Sequence, residues 1–340
     1  MQSLKDAQEA ERGASRVQCC ACGGRSIAVF HEVDNVPVHS CLLISTREEA
    51  LRFPTGSVQL GFCRDCGFIS NLRFDASKLD YSAGYEETQG FSDRFNAFAR
   101  RLAIDLIDRY DIRGKNVLEI GCGKGEFLAL LCGLGGNTGV GIDPSYVEGR
   151  LEPEAEARIE FIRDFYSEKY AHLQGDFVCC RHTLEHIGPV RSFLQTVRRS
   201  IGDAHRTVVF FEVPDVGRVL QEAAFWDVYY EHCSYFSQGS LARLFRSCDF
   251  DVLRVSRDFD DQYLLIEARP GAPDDQALRP EDDDLDAIAA WVANFEANYA
   301  RKTAQWRKIV DDATHLGLRI VLWGAGSKAV AFLTGLGIGA

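Results

Sequence analysis

The chain has 340 residues, of which 46% are hydrophobic, enough to bury a large core and to build two or three domains. A formal net charge of −12 and a pI of about 5.2 argue against a nucleic-acid enzyme, which would need a broad basic face. The apolar runs, such as TVVFFEV at 207–213, suit buried strands and fall far short of a membrane span.

The N-terminal MQSLKDAQEAERGASR is polar and charged, without the apolar stretch of a signal peptide. Twelve cysteines in such a chain point to thiols and metal ligands rather than disulfides. A cytoplasmic protein with no membrane and no nucleic-acid partner is the expectation.

Residues 17–75 hold two Cys-x-x-C knuckles, Cys19 with Cys22 and Cys63 with Cys66, each followed by glycine. Two intervening residues let both thiolates face one ion, and the glycine relieves the turn. Four such ligands make a closed tetrahedral Zn2+ site with a structural role. A redox dithiol or unconnected buried cysteines are the plainer alternatives. Cys20 blurs the register, and Cys19 keeps the two-residue gap.

A helix is expected over about 91–110, with Ser92 as its N-cap. From Lys115 to Pro270 short apolar strands alternate with amphipathic helices, which predicts an α/β fold on a parallel-dominated sheet. The first of these strands ends in VLEIGCGKGEF, with Gly121, Gly123 and Gly125 before a helix. A dinucleotide fingerprint would want Gly or Ala where Glu126 stands.

The form with Glu119 on the strand is the one S-adenosylmethionine sites use. Small residues admit the cofactor's amino-acid part, and the acid suits its cationic groups. One strand on, Asp143 is placed for the ribose hydroxyls, and Asp164 with Phe165 for the adenine. An ordinary strand–helix turn is the bland alternative for the loop alone. These parts in this order look like a class I methyltransferase core over 80–270.

RHTLEHI at 181–187 carries the inverted zinc-protease pattern, His182-x-x-Glu185-His186, but such a protease needs a further ligand downstream. Its place at a strand end makes it a pocket rim, with His182 near the cofactor.

The stretch FWDVYYEHCSYFS at 225–237 is by composition a half-buried aromatic turn. GAPDDQALRPEDDDLD is a polar linker that opens a long connector helix, 281–316. RIVLWGAGSKAVAFL then predicts a strand, a glycine turn and a helix over 317–340. A lone strand–helix pair cannot bury its own faces, so a further domain is expected to follow. Gly324, Gly326 and Ala329 fit G-x-G-x-x-A, which raises an NAD-binding oxidoreductase as another reading.

This order of parts resembles the sugar C-methyltransferases, which act on nucleotide-linked 4-keto deoxysugars. That family joins an N-terminal four-cysteine zinc module, a class I methyltransferase Rossmann-like core and a C-terminal Rossmann-like lobe. The likeness covers about residues 19–340, and its catalytic stretch, Tyr-x-Glu-His followed by Tyr-Phe, falls on Tyr229, Glu231, His232, Tyr235 and Phe236. It implies that His232 is the base, that Glu231 orients the ring or holds substrate, and that Tyr229 donates to the enolate oxygen. It also implies pocket tyrosines at Tyr81 or Tyr85 and places Lys328 near the phosphates of a small-molecule nucleotide-sugar. Tyr230 stands where the family often has His, and the lead-in YSAGYEETQGFS departs from its usual stretch. An O- or N-methyltransferase of another small metabolite shares the fold without needing a carbon acid.

Overall fold

The computed structural model describes residues 17–271, 283–324 and 326–338, which fall into two compact units. Most of the 271–286 linker, and Ala325 of the second glycine turn, lie outside the described residues.

The first unit joins the described residues up to Leu79, the segment Asp215–Ser240 and the described residues from 283 on. Its sheet has the order β1 (Ile27–Pro37), β2 (Thr55–Cys63), β3 (Ile69–Asn71) and β9 (Ser234–Tyr235), antiparallel throughout. The fourth strand is two residues long, pairing Ile69 with Tyr235 and Ser70 with Ser234. Helices α6 (Val216–Glu222) and α8 (Leu285–His315) send Val216, Leu220, Ile288 and Phe295 into one core with Val58 and Leu60 of the sheet. The sequence reading put 215–240 within the 80–270 core. Strand pairing and the apolar face of α6 draw that segment into the unit that carries the cysteine knuckles instead.

The second unit comprises Asp80–Pro214 and the described residues from Leu241 to 271. Its seven-stranded sheet runs β10-β11-β8-β7-β4-β5-β6. These strands are β4 (Asn116–Ile120), β5 (Thr138–Ile142), β6 (Ile159–Ile162), β7 (Phe177–Arg181), β8 (Val208–Pro214), β10 (Phe250–Asp258) and β11 (Tyr263–Pro270). β4 to β8 are parallel, and β11 runs antiparallel to both its neighbours. This is the parallel-dominated α/β sheet that the strand pattern predicts. Chain order reverses between β4 and β7, the point where such sheets bind ligands.

Helix α2 (Asp93–Tyr110) starts at Ser92, whose side chain accepts from the Phe95 N–H, as a capping serine should. Its apolar stripe of Phe98, Leu102 and Leu106 packs with Leu128 and Leu131 of α3 (Glu126–Gly135) against β4, β7 and β8.

The strand expected at 319–323 does not form. A strand is defined by the neighbour that takes its N–H and C=O groups, and no described strand pairs with this stretch. Only the helix that follows, α9 (Ser327–Leu336), is present. Among the described residues no helix is long and apolar enough to cross a membrane.

Candidate functional site

In the second unit the site grows from the turn after β4. Gly121, Gly123 and Gly125 all have positive φ, at 70°, 53° and 83°, which glycine alone adopts without strain. A Cβ on Gly121 would lie 2.0 Å from Thr183 Oγ1, and one on Gly125 2.5 Å from Phe161 Cζ. The turn is pinned to β5 by the Gly121 N–H on the Ile142 carbonyl.

Asp143 stands beside it. One carboxylate oxygen accepts from the Gly123 N–H at 2.9 Å, and the other takes the Ser145 N–H and hydroxyl, each at 2.7 Å. The residue expected at the ribose thus also braces the glycine loop. Glu126 is exposed and takes the Thr88 hydroxyl. Asp143→Ala is expected to weaken S-adenosylmethionine binding by about 1.5–3 kcal/mol, and Glu126→Ala to leave it nearly unchanged. Calorimetry on both variants checks this; equal effects would remove the assignment.

Two acids beside the loop are unsatisfied. Glu119 is 2% exposed and its Oε2 has no hydrogen-bond partner. Burial pushes it up to about 8 against the pull of Arg181. Glu87, from the segment before α2, has a buried Oε2 without a partner, and burial pushes it up to about 7. Close to Glu87 lies Lys124, whose side chain is buried and donates to the carbonyls of Tyr85 at 2.8 Å and Ser145 at 2.7 Å. Neither Glu87 nor Lys124 was anticipated from the sequence. The signals available were the paired acids in YEETQ and a lysine inside the glycine loop.

At the position expected to meet the adenine, Asp164 accepts from the Tyr170 hydroxyl at 2.5 Å, Lys169 at 2.9 Å and the Phe165 N–H at 2.8 Å. These donors, Tyr170 first, hold it down at about 2. Phe165 is 61% exposed, a free ring face. Its ring centroid lies 6.4 Å from that of Tyr81, which packs edge-on against Tyr85 at 5.1 Å. The Tyr81 hydroxyl is 3.0 Å from His186 Nδ1. The structure thus joins both predicted tyrosines to Phe165 and adds His186, which the sequence displayed only inside the protease pattern.

His182 stands among two acids and a tyrosine. At φ 48° its ring meets Tyr263 at 4.5 Å, and its Nε2 lies 2.9 Å from Glu212 Oε1. Burial opposes its charged form, but Glu212 and Glu185 outweigh that and raise it to about 9. Contact with the glycine loop comes from its neighbour Thr183, whose hydroxyl reaches the Gly121 carbonyl. Arg181 completes this buried set, with Nε 2.6 Å from Glu212 Oε2 and its guanidinium 4.0 Å over Phe127.

In the first unit the four cysteines converge: Cys19, Cys22, Cys63 and Cys66 place their sulfurs within 4.8 Å of one another. The Gly24 N–H points at Cys22 Sγ from 3.3 Å, and Gly23 and Gly67 take φ 79° and 75°. Four sulfurs this close are compatible as thiolates only around a cation, and the set is that of a soft divalent ion.

The 229–235 stretch is clasped by the same module. Glu231, 2% exposed, accepts the Ser40 N–H at 2.6 Å and hydroxyl at 2.7 Å, with His39 Nδ1 3.3 Å from its other oxygen. The Tyr230 hydroxyl accepts from the Asp75 N–H. His232 is half-buried and stands edge-on to Tyr229 at 4.6 Å and Tyr235 at 6.3 Å. Tyr229 donates to Asp227 at 2.9 Å, and Lys328 lies 2.9 Å from the same carboxylate. Asp227, unremarked in the sequence, is therefore the hub that joins two predicted site residues.

Residues 95–255 match the family described as a methyltransferase domain. The chain is 28% identical over 260 residues to the C-methyltransferase NovU of Streptomyces niveus, a match covering 70% of this chain and 60% of that protein. It thus spans less than two thirds of that relative. Among solved structures it is similar to a didemethyltoxoflavin N1-methyltransferase of Burkholderia thailandensis. That likeness has 17% identity, 54% of this chain, 82% of the other and a TM-score of 0.39. A magnesium protoporphyrin IX methyltransferase of Synechocystis PCC 6803 shares 15% identity over 52% of this chain and 83% of the other, with a TM-score of 0.40. The matched segment contains the glycine loop at 121–125 and not the second glycine turn at 324–329.

Proposed function

We propose that this chain, an S-adenosylmethionine-dependent methyltransferase, methylates a carbon alpha to a ketone, with a nucleotide-linked keto-sugar as acceptor. The observation that carries the reading is the similarity to a named C-methyltransferase over 260 residues. The Tyr-x-Glu-His stretch at 229–232 supports it.

Bound S-adenosylmethionine supplies an electrophilic methyl group. The glycine loop, Asp143, Asp164 and Phe165 would hold it. His232 takes the alpha proton, for which a base near neutrality is suited. Tyr229 donates to the oxygen on which enolate charge develops, and to do so its hydroxyl exchanges Asp227 for substrate. Glu231, gripped by Ser40, fixes the backbone beside His232. Lys328 meets the nucleotide phosphates by leaving the same Asp227. Zinc in the Cys19, Cys22, Cys63 and Cys66 cluster holds the module together.

An O- or N-methyltransferase needs no carbon acid. Incubating keto-sugar nucleotides with the protein in deuterated water, without methyl donor, is therefore expected to place deuterium at one carbon alpha to the ketone. Mass spectrometry reads it, and a turned-over acceptor that never exchanges would overturn the C-methyl reading.

A further inference from the structure

The Glu87 carboxylate has one oxygen buried without a hydrogen-bond donor, on a half-buried side chain that stands against the glycine loop. Its Oε1 lies 2.4 Å from where a Cβ on Gly123 would stand, so the carboxylate lies directly against that glycine. Its Oε2 is sealed from solvent and has no hydrogen-bond partner. The nearest cation, Lys124, is 3.6 Å away and is already engaged by the Tyr85 and Ser145 carbonyls. A buried acceptor without a donor is costly to keep, which points to a donor that arrives with a ligand.

We propose that Glu87 receives the α-ammonium group of the methionine part of S-adenosylmethionine, with Lys124 as the positioning residue that ties its segment to the glycine loop. Glu119, the acid that the sequence offered for the cationic groups, is 2% exposed on its strand. The Glu87 side chain keeps 29% of its surface and is the one a ligand can reach. The assignment holds for any acceptor and is independent of the C-methyl reading.

The charged groups facing Glu87 are Lys124, Asp143, Glu86 and Arg150. Burial leaves its carboxyl near 7 despite Lys124, so near pH 6 much of it carries a proton. An arriving ammonium favours the ionised form and expels that proton. Affinity should therefore rise as pH climbs from 6 toward 7.

Glu87→Gln keeps the size and removes the charge. Calorimetry with S-adenosylmethionine, S-adenosylhomocysteine and methylthioadenosine separates the parts: the first two carry the ammonium and the third does not. Both amino-acid ligands are expected to lose roughly ten- to a hundredfold in affinity, and methylthioadenosine to lose nothing. Titrations at pH 6 in buffers of different ionisation enthalpy should show more proton release from the unchanged protein than from the variant. A loss confined to S-adenosylmethionine would move the contact to the sulfonium. An equal loss for all three would make Glu87 a packing residue, and no loss at all would end the proposal.

Discussion

Replacing His232 with glutamine is expected to slow methyl transfer by about 10²–10⁴-fold, with S-adenosylmethionine affinity and melting temperature close to those of the unchanged protein. Glutamine keeps a polar side chain of similar length between Tyr229 and Tyr235, the rings that His232 meets edge-on. It has no nitrogen that can take up a proton near neutral pH. Deuterium exchange at the acceptor's alpha carbon should vanish with turnover, because both need the same proton removed. Near-normal turnover would take His232 out of the mechanism, and a variant that unfolds would make its contacts with the two tyrosines structural.

Cys63→Ser is expected to have a larger effect on structure. Protein purified without added metal should carry one zinc per chain, and the serine variant much less. Structural zinc sites contribute about 10–16 kcal/mol in small modules, as much as the whole stability of a typical domain. The first unit should then open, giving proteolytic cleavage within 17–75. The glycine loop and its partners belong to the other unit, so S-adenosylmethionine should still bind while methyl transfer is lost. Elemental analysis decides first: a chain that is folded and free of zinc sinks the assignment.

The seven-stranded sheet was legible because its central strands are apolar runs between polar turns, a pattern that local composition preserves. The cysteine knuckles were legible for a similar reason, since their spacing is itself the geometry. Pairing was not. Ser234 and Tyr235 are too short a strand to show any alternation, and nothing in CSYFS announces Ile69 as a neighbour. Arg319–Trp323 reads as a strand by composition yet has no partner among the described residues. Asp227 and Glu87 escaped notice, and His186 showed only inside the protease pattern, because their roles rest on which neighbours the fold supplies. Glu231 read as chemistry, whereas its burial against Ser40 also makes it a strut.

The pairing of β3 with β9 also bears on the order in which the chain can fold during synthesis. The cysteine knuckles emerge early, but the sheet they brace lacks its last strand until all of β4 to β8 has been made. Its core lacks Ile288 and Phe295 until still later. Contacts this distant along a chain form slowly, and the unfinished edge of β3 stays open meanwhile, a surface that invites mispairing. Expressed alone, residues 17–79 would keep that edge and an uncovered apolar face, so the portion that looks most like a separate domain is the one least suited to being cut out.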